Sequence, residues 1–336
     1  MKAAVHTAPG RIALQDWPTP RIGPGELLLR VRGCGVCGSD LAKWRGAAEQ
    51  PAVLGHEVVG EVVQVGGGGE NPFTEGDRVV VAHHVPCGAC HYCLRQSPSM
   101  CRTFKASNLD PGGFAEFLRV PAPNVRFATF RIPQGMPDEV AAFTEPLACG
   151  LRAVRRLGLL PGDTVLLLGL GSVGCLLVQL VRRAGARVLG VDPLAERRAL
   201  ARRLGADEAI PPEGVGERVR TETEGRGADR VVLAVADPTL VSRSFDWVRD
   251  GGAIHLFAGD GESVLPVEAL YHRELTLTAT YSASPPDLVE AFGLLVDGAV
   301  RVAELVSHRI PLERLQEAVG LLDRRQALKV FVEVGR

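Results

Sequence analysis

Read for its alternation of apolar and polar positions, the chain changes character partway along. Through the first 140 residues the apolar runs are short and broken by glycine and proline: Glu26–Arg32, Val58–Val65 and Arg78–Ala82. Runs of this length between turn residues predict strands of an irregular, β-rich domain rather than helices. After Glu145 the period shifts. Thr164–Leu168 is a fully apolar strand candidate followed at once by a glycine turn. Val173–Ala184 then predicts a helix, Arg187–Val191 a strand and Ala195–Leu204 a helix. Further strand candidates are Arg230–Val235, Ala253–Phe257 and Leu275–Tyr281, with helix-length segments between them. Strands alternating with helices predict parallel βαβ units and a doubly wound sheet. The C-terminal stretch holds two helical patterns and a terminal strand, Lys329–Val334. No internal repeat is visible, and the glycine run 66–69 reads as a loop.

Composition narrows the class. At 336 residues the chain is long enough for two ordinary domains, and 46% hydrophobic with 23% charged residues is a soluble, globular balance. A formal net charge of -1 gives no reason to expect nucleic acid or an anionic membrane as partner. The start, Met1-Lys2-Ala3-Ala4-Val5, lacks the apolar run of a signal peptide. The most apolar stretch, Thr164–Val181, is broken by Gly169, Gly171 and Gly174 and does not read as a membrane span. A cytoplasmic protein is expected. The basic side is almost all arginine, with lysine only at Lys2, Lys43, Lys105 and Lys329.

Gly169-Leu170-Gly171-Ser172-Val173-Gly174 fits the pattern G-x-G-x-x-G. Alone it is a weak signal, but it lies between a predicted strand and a predicted helix, the context that gives it meaning. Glycines there allow a tight turn and let the backbone approach a pyrophosphate seated on the helix N-terminus. Asp192 closes the next strand, where a carboxylate accepts both ribose hydroxyls of NAD and repels a 2′-phosphate. The competing reading of Asp192 is a helix cap. Arg197 and Arg198 fall either at the adenine edge or on a solvated helix face.

Eight cysteines in such a chain do not suggest disulfides, because the cytosol keeps thiols reduced. Cys87, Cys90, Cys93 and Cys101 are spaced C-x2-C-x2-C-x7-C. Four thiolates on a short lobe can close a tetrahedral shell around zinc and leave no open position, which marks a structural site. An iron–sulfur cluster is the rival, though nothing else in the chain suggests electron transfer. Cys34 and Cys37 form another C-x2-C. A redox pair of that kind needs a helix N-terminus after a strand, and Gly35 and Gly38 argue against a helix there. Taken with His56 and an acidic residue, Cys37 instead makes a three-ligand set with room for water or substrate, as catalytic zinc requires.

These segments together, with Gly55-His56-Glu57, Glu145-Pro146-Leu147 and the glycine loop, resemble the zinc-containing medium-chain dehydrogenases of the alcohol dehydrogenase family. The likeness runs the length of the chain and is greatest to the sorbitol, threonine and sugar dehydrogenase branch. It implies an α/β fold: a GroES-like catalytic domain (1–147, zinc lobe 86–102), a Rossmann NAD-binding domain (148–282), and a C-terminal segment (283–336) returning to the catalytic domain. It implies two zinc ions per chain, NAD, and a homo-oligomer, tetramer or dimer. By position, Cys37 and His56 match zinc ligands. The residue matching Glu57 often binds zinc in this branch, and that matching Glu145 binds it or holds the adjacent water. Ser39 matches the hydroxyl that takes the substrate proton, and Asp40 is expected to orient the metal's surroundings. Gly169, Gly171, Ser172, Val173, Gly174, Asp192 and Arg197 are the expected cofactor contacts. One departure stands out: many relatives carry a histidine five residues after the zinc cysteine, ending a proton relay, and here that residue is Ala42.

The implied activity is reversible oxidation of a secondary alcohol on a polyol, sugar or cyclitol-like molecule to the ketone. Zinc lowers the alcohol's pKa and the nicotinamide takes the hydride. Threonine or a simple alcohol is the alternative substrate. The zinc ligands argue against a zinc-free alkenal or quinone reductase, and the intact set with Ser39 against a non-catalytic NAD- and zinc-binding protein. Absence of a basic stripe argues against a nucleic-acid-binding zinc module.

Overall fold

Apolar side chains on alternate positions of the N-terminal runs, and on every position of the central ones, produce two kinds of sheet. The computed structural model of the protein describes residues 1–46, 51–68 and 71–335, so Gly69 of the glycine run lies outside the described residues. These residues form two compact units, Met1–Ala148 with Ala283–Arg336, and Cys149–Ser282.

The first unit contributes β1 (Lys2–Ala8), β2 (Arg11–Asp16), β3 (Leu27–Gly35), β4 (Ala52–Val53), β5 (Glu57–Val65), β6 (Arg78–Val81), β7 (Phe117–Val120) and β8 (Thr129–Arg131). The second contributes β9 (Thr164–Leu168), β10 (Arg187–Val191), β11 (Glu208–Ile210), β12 (Ala228–Leu233), β13 (Val248–Leu256) and β14 (Thr276–Ala279). β15 (His308–Pro311) and β16 (Val330–Glu333) belong again to the first.

β3 is the axis of the first unit. β5 pairs antiparallel along its whole length, leaving the other edge to β7 over Leu27–Arg30 and to β16 over Gly33–Gly35. Up to Arg32 the strand alternates: Leu27, Leu29 and Val31 are buried while Arg30 and Arg32 are exposed. From Gly33 to Gly35 every residue is buried, because the chain there enters the interior of the unit. The strand therefore runs past Arg32, where its alternating pattern ends, and carries Cys34 into a core with Val36, Val58 and Phe114.

In the second unit six parallel strands lie in the order β11-β10-β9-β12-β13-β14. This is the doubly wound nucleotide-binding order, with its switch point beside β9. All five residues of β9 are buried, as expected for a strand covered on both faces. β10 spans Arg187–Val191 as its sequence pattern predicts, whereas β13 begins at Val248, ahead of its apolar run, and β14 ends at Ala279 before the exposed Tyr281. Among the described residues no helix is long and apolar enough to cross a membrane.

Candidate active site

The metal-ligand candidates sit where β3 gives way to α1 (Gly38–Arg45). Cys37 is the N-cap, half-buried, and Ser39 in the first turn is exposed. The buried Asp40 returns one carboxylate oxygen to the Cys37 amide at 3.0 Å and the other to the Gly55 amide at 3.3 Å. A carboxylate in a helix's first turn suits the orphan amides and the positive end of the helix dipole. The sequence argument against a helix at Cys37 thus fails, since this cysteine does start one after a strand. What disfavours a redox pair is Cys34, which is fully buried and whose thiol burial pushes well above its ordinary pKa.

Gly55-His56-Glu57 leads into β5, and Glu57 pairs in register with Gly35. This places one ligand atom each of Cys37, His56 and Glu57 within 4.8 Å of one another. Asp40 Oδ1 is 3.4 Å from His56 Nδ1, so Nε2 is left to the site, 3.5 Å from Ser39 Oγ. A carboxylate behind one ring nitrogen fixes the other for a metal. Burial opposes charge on His56, yet Asp40 and Cys37 outweigh it and hold its pKa well above the usual histidine range. A half-buried thiol, a buried imidazole and a buried carboxylate, converging, fit zinc with an open fourth position.

Glu57 has a partner that no local pattern reveals. Lys329, just before β16, is 4% exposed and forms an ion pair with Glu57 Oε2. Among the described residues neither Glu57 oxygen makes an aligned hydrogen bond, so the contact is ionic and leaves lone pairs for a metal. Burial works against the ammonium charge, but Glu57 and Cys37 more than offset it and raise the lysine's pKa. The Phe143 ring lies 5.6 Å from Nζ, a further stabilisation of the cation. Room for the pair comes from Gly35, where an added Cβ would fall 1.9 Å from Glu57 Oε2. Glu145 is also buried, in the first turn of the helix Thr144–Leu157, but is not among the three converging ligands.

Beyond β6 two histidines extend the site. The His83 ring centroid is 4.6 Å from that of His56 and 3.8 Å from that of His84. His84 Nδ1 donates to the Ser107 carbonyl at 2.7 Å and its ring packs on Phe104. His83 Nδ1 is sealed from solvent with no hydrogen-bond partner among the described residues. Neither histidine figures in the sequence motifs, and only their adjacency to Cys87 could have drawn notice.

In the lobe, all four cysteines are free and bring one sulfur each within 4.8 Å of the others. The separations Cys90–Cys93, 3.5 Å, and Cys87–Cys101, 3.6 Å, are far too long for disulfides. They match the edge of about 3.8 Å in a tetrahedron with zinc–sulfur bonds of about 2.3 Å. Burial resists charge on Cys101, but the amides of Cys87 and Phe104 bring its thiol down to about 6, which readies it for a metal.

In the second unit the glycine loop joins β9 to the helix α2 (Ser172–Arg183). Gly171 is its N-cap, and Gly171, Ser172 and Val173 are half-exposed, at a helix end whose first-turn amides lack intrahelical partners and could receive an anion. Gly174 cannot be replaced, because a Cβ there would lie 2.1 Å from the Gly169 carbonyl oxygen. Asp192, at the end of β10, accepts from Leu170 N and from Leu194 N, both at 2.9 Å. The N-cap of the following helix is Leu194, so Asp192 is not its cap. Arg197 Nη1 is 3.9 Å from Asp192 and 4.0 Å from the Cβ position of Gly171, over the loop rather than on an open face. Arg198 is occupied with the carbonyls of Asp192 and Pro193.

Comparison with known proteins agrees with both halves. Residues 23–130 match the alcohol dehydrogenase GroES-like domain, and residues 172–297 match the zinc-binding dehydrogenase domain. A sorbitol dehydrogenase from Halalkalibacterium halodurans is 31% identical over 99% of this chain and 99% of its own. An L-threonine 3-dehydrogenase from Bacillus licheniformis is 30% identical over 94% of this chain and 93% of its own. The structure of the alcohol dehydrogenase TADH from Thermus sp. ATN1 superposes with a TM-score of 0.88 at 32% identity, covering 100% of both chains. The chain belongs to the zinc-containing medium-chain dehydrogenase family, as an oxidoreductase with a GroES-like and a Rossmann-type domain.

Proposed function

We propose that this enzyme oxidises a secondary hydroxyl, flanked by a second polar group, to the ketone on a polyol, sugar or cyclitol-like substrate, with NAD as hydride acceptor. The observation that carries the reading is the convergence of Cys37, His56 and Glu57 within 4.8 Å, one soft ligand beside one hard, charged oxygen. Bound zinc would supply Lewis acidity that brings the alcohol's pKa toward neutrality, and the nicotinamide would accept the hydride. The rest falls to the chain. Asp40 fixes His56, Lys329 holds Glu57 in place, and Ser39, exposed and 3.5 Å from His56 Nε2, is positioned to take the alcohol proton. Ala42 is exposed on the same helix and offers no onward proton acceptor, so the proton leaves Ser39 by another route.

A polar-flanked alcohol is favoured because a simple alkanol would leave buried polar groups of the site unpaired, at about 1–3 kcal/mol each. With aromatic residues at only 5%, a large aromatic-lined pocket is not expected. The sorbitol dehydrogenase relative supports this reading. The L-threonine 3-dehydrogenase relative supports a second one, in which the flanking group is an amine. We take the working form to be a cytoplasmic homo-oligomer, as the family likeness suggests, with no nucleic-acid or membrane partner.

The test is a panel of polyols, sugars, cyclitols, threonine, ethanol and benzyl alcohol with NAD, followed at the NADH absorbance band. A polyol, sugar or cyclitol should show the highest kcat/KM. A higher value for ethanol or benzyl alcohol than for every polar-flanked alcohol would overturn the substrate reading and leave the zinc–NAD chemistry standing. Glu145→Ala should lose most of the turnover.

A further inference from the structure

We infer that His84 is a positioning residue that links the four-cysteine lobe to His56, so that metal held in the lobe strengthens metal binding by Cys37, His56 and Glu57. The inference rests on the ligand assignments above and adds a dependence of one centre on the other. The link is a run of ring contacts inside the first unit. His56 and His83 lie 4.6 Å apart between centroids, His83 and His84 3.8 Å, and His84 and Phe104 4.7 Å. The first member of the run is a candidate metal ligand. The last, 1% exposed, sits in the short helix Arg102–Ala106, which starts directly after the lobe cysteine Cys101.

Hydrogen bonds tie the same pieces together. His84 Nδ1 donates to the carbonyl of Ser107, the residue at which that short helix ends, at 2.7 Å. Ser107 Oγ accepts from the Val85 amide at 3.0 Å and donates to the Phe104 carbonyl at 2.8 Å. The helix thus has a lobe ligand at one end and the acceptor of His84 at the other. Cys87, next but two after His84, gives its amide to the Cys101 sulfur at 3.5 Å and closes the circuit. On the strand side, Asn124 Nδ2 donates to the carbonyls of Ala82 and His83 at 2.9 and 3.0 Å, which fixes the chain as it leaves β6.

A metal bound by Cys87 and Cys101 together sets how the segment 82–87 lies against that helix. Their spacing in turn decides where the His84 ring stands between Phe104 and His83. Without the metal the helix loses its anchored start, and the rings behind His56 lose one wall. Packed side chains with fixed neighbours can carry coupling of this kind between two sites. Groups that orient a metal ligand from behind are worth about 10–100-fold in metal affinity. Asp40 does so at His56 Nδ1, and the ring run braces the imidazole itself.

The experiment measures the zinc affinity of the Cys37, His56 and Glu57 set on the full chain, by competition with a chromophoric chelator. Cys37→Ser identifies which signal belongs to that set. Cys101→Ser removes the lobe metal, and His84→Phe keeps a ring against His83 and Phe104 but loses the bond to Ser107. Each single variant should bind zinc at the set about tenfold more weakly than wild type, His84→Phe with its lobe zinc retained. The double variant should be no weaker than Cys101→Ser alone, because both changes cut one link. Cobalt(II) placed in the set should show displaced visible bands in both single variants, a signature of ligand geometry that a general loss of stability does not produce. Unchanged affinity in either single variant, unmoved cobalt bands, or a double variant whose loss is the product of the two single losses overturns the link. Should Cys101→Ser not fold, His84→Phe against wild type, both with the lobe zinc in place, decides by affinity and cobalt bands. A wild type that holds no zinc at the Cys37 set overturns the ligand assignment, and this inference with it.

Discussion

Glu57 and Lys329 form an ion pair whose members are 1% and 4% exposed, one at the start of β5 and the other just before the C-terminal strand. Such a pair costs two desolvations and is weak evidence for stability in itself. Its value here is positional. The ammonium holds the carboxylate in place beside Cys37 and His56.

Lys329→Met strips that balance and leaves a buried carboxylate alone. Urea unfolding of the chelator-treated protein should show a loss of about 3–5 kcal/mol. Adding Glu57→Gln to the same variant should recover much of it. If the double variant is no more stable than the single one, the two side chains are not coupled in the way described.

Elemental analysis of metal-replete wild type should give two zinc ions per chain. Cys37→Ser should lose one of them and all turnover while binding NAD near normally. Cys101→Ser should lose the other, with a cost in stability or assembly. Turnover retained in the Cys37 variant would end the zinc mechanism.

Asp192 governs cofactor choice in our reading. A carboxylate and a 2′-phosphate ~4 Å apart at an effective dielectric of 20 repel by about 4 kcal/mol, so NAD should be strongly preferred over NADP. Asp192→Ser should narrow the gap through the KM for NADP. It should also lower the melting temperature, because Asp192 holds the Leu170 amide of the glycine loop. Equal use of both cofactors by wild type would show the ribose contact to be elsewhere.

His255, fully buried on β13 between β12 and β14, ties stability to pH. Burial, helped by the positive charge of Arg156, lowers its pKa to about 4, and its Nδ1 is 2.8 Å from Thr278 Oγ1. Unfolded, it takes a proton near pH ~6.5. Between the two values the unfolded chain binds more protons, so its contribution is complete above about 6.5 and is lost as pH falls toward about 4. The full swing is on the order of 3 kcal/mol. Urea midpoints at pH 5 and pH 7.5 should differ less in His255→Val than in wild type; an unchanged difference would refute the assignment.

The nucleotide half was legible because its signals are local. An apolar strand, a glycine hexapeptide and an apolar-periodic helix follow one another without interruption, and β10 falls on Arg187–Val191 as its pattern predicts. The start of β13 was hidden because Arg249, Asp250, Gly251 and Gly252 are polar or small, yet pairing with β12 carries the strand back to Val248 through a register shift. Around Cys37 the sequence pointed to residues the structure brings together, Cys37, His56 and Glu57, but added Glu145, which lies outside that set, and misjudged the backbone, since local glycine content weighed more in the reading than the amide contacts Asp40 makes. Lys329 and His83 left no trace, because what matters about each is a neighbour far away in the chain.

The order in which the chain is made bears on the edge that β16 closes along Gly33–Gly35. The nucleotide-binding unit is one uninterrupted stretch, Cys149–Ser282, and has all its strands as soon as that stretch leaves the ribosome. The first unit, begun earlier, waits for residues beyond 283, and until they arrive half an edge of its central strand is unpaired. Pairing across so long a separation is slow to form. A nascent chain that stalls before residue 329 holds every cysteine and histidine of the metal centre, but lacks both the closing strand and the cation that balances Glu57. The closing strand and the cation that balances Glu57 thus reach the first unit together, and last.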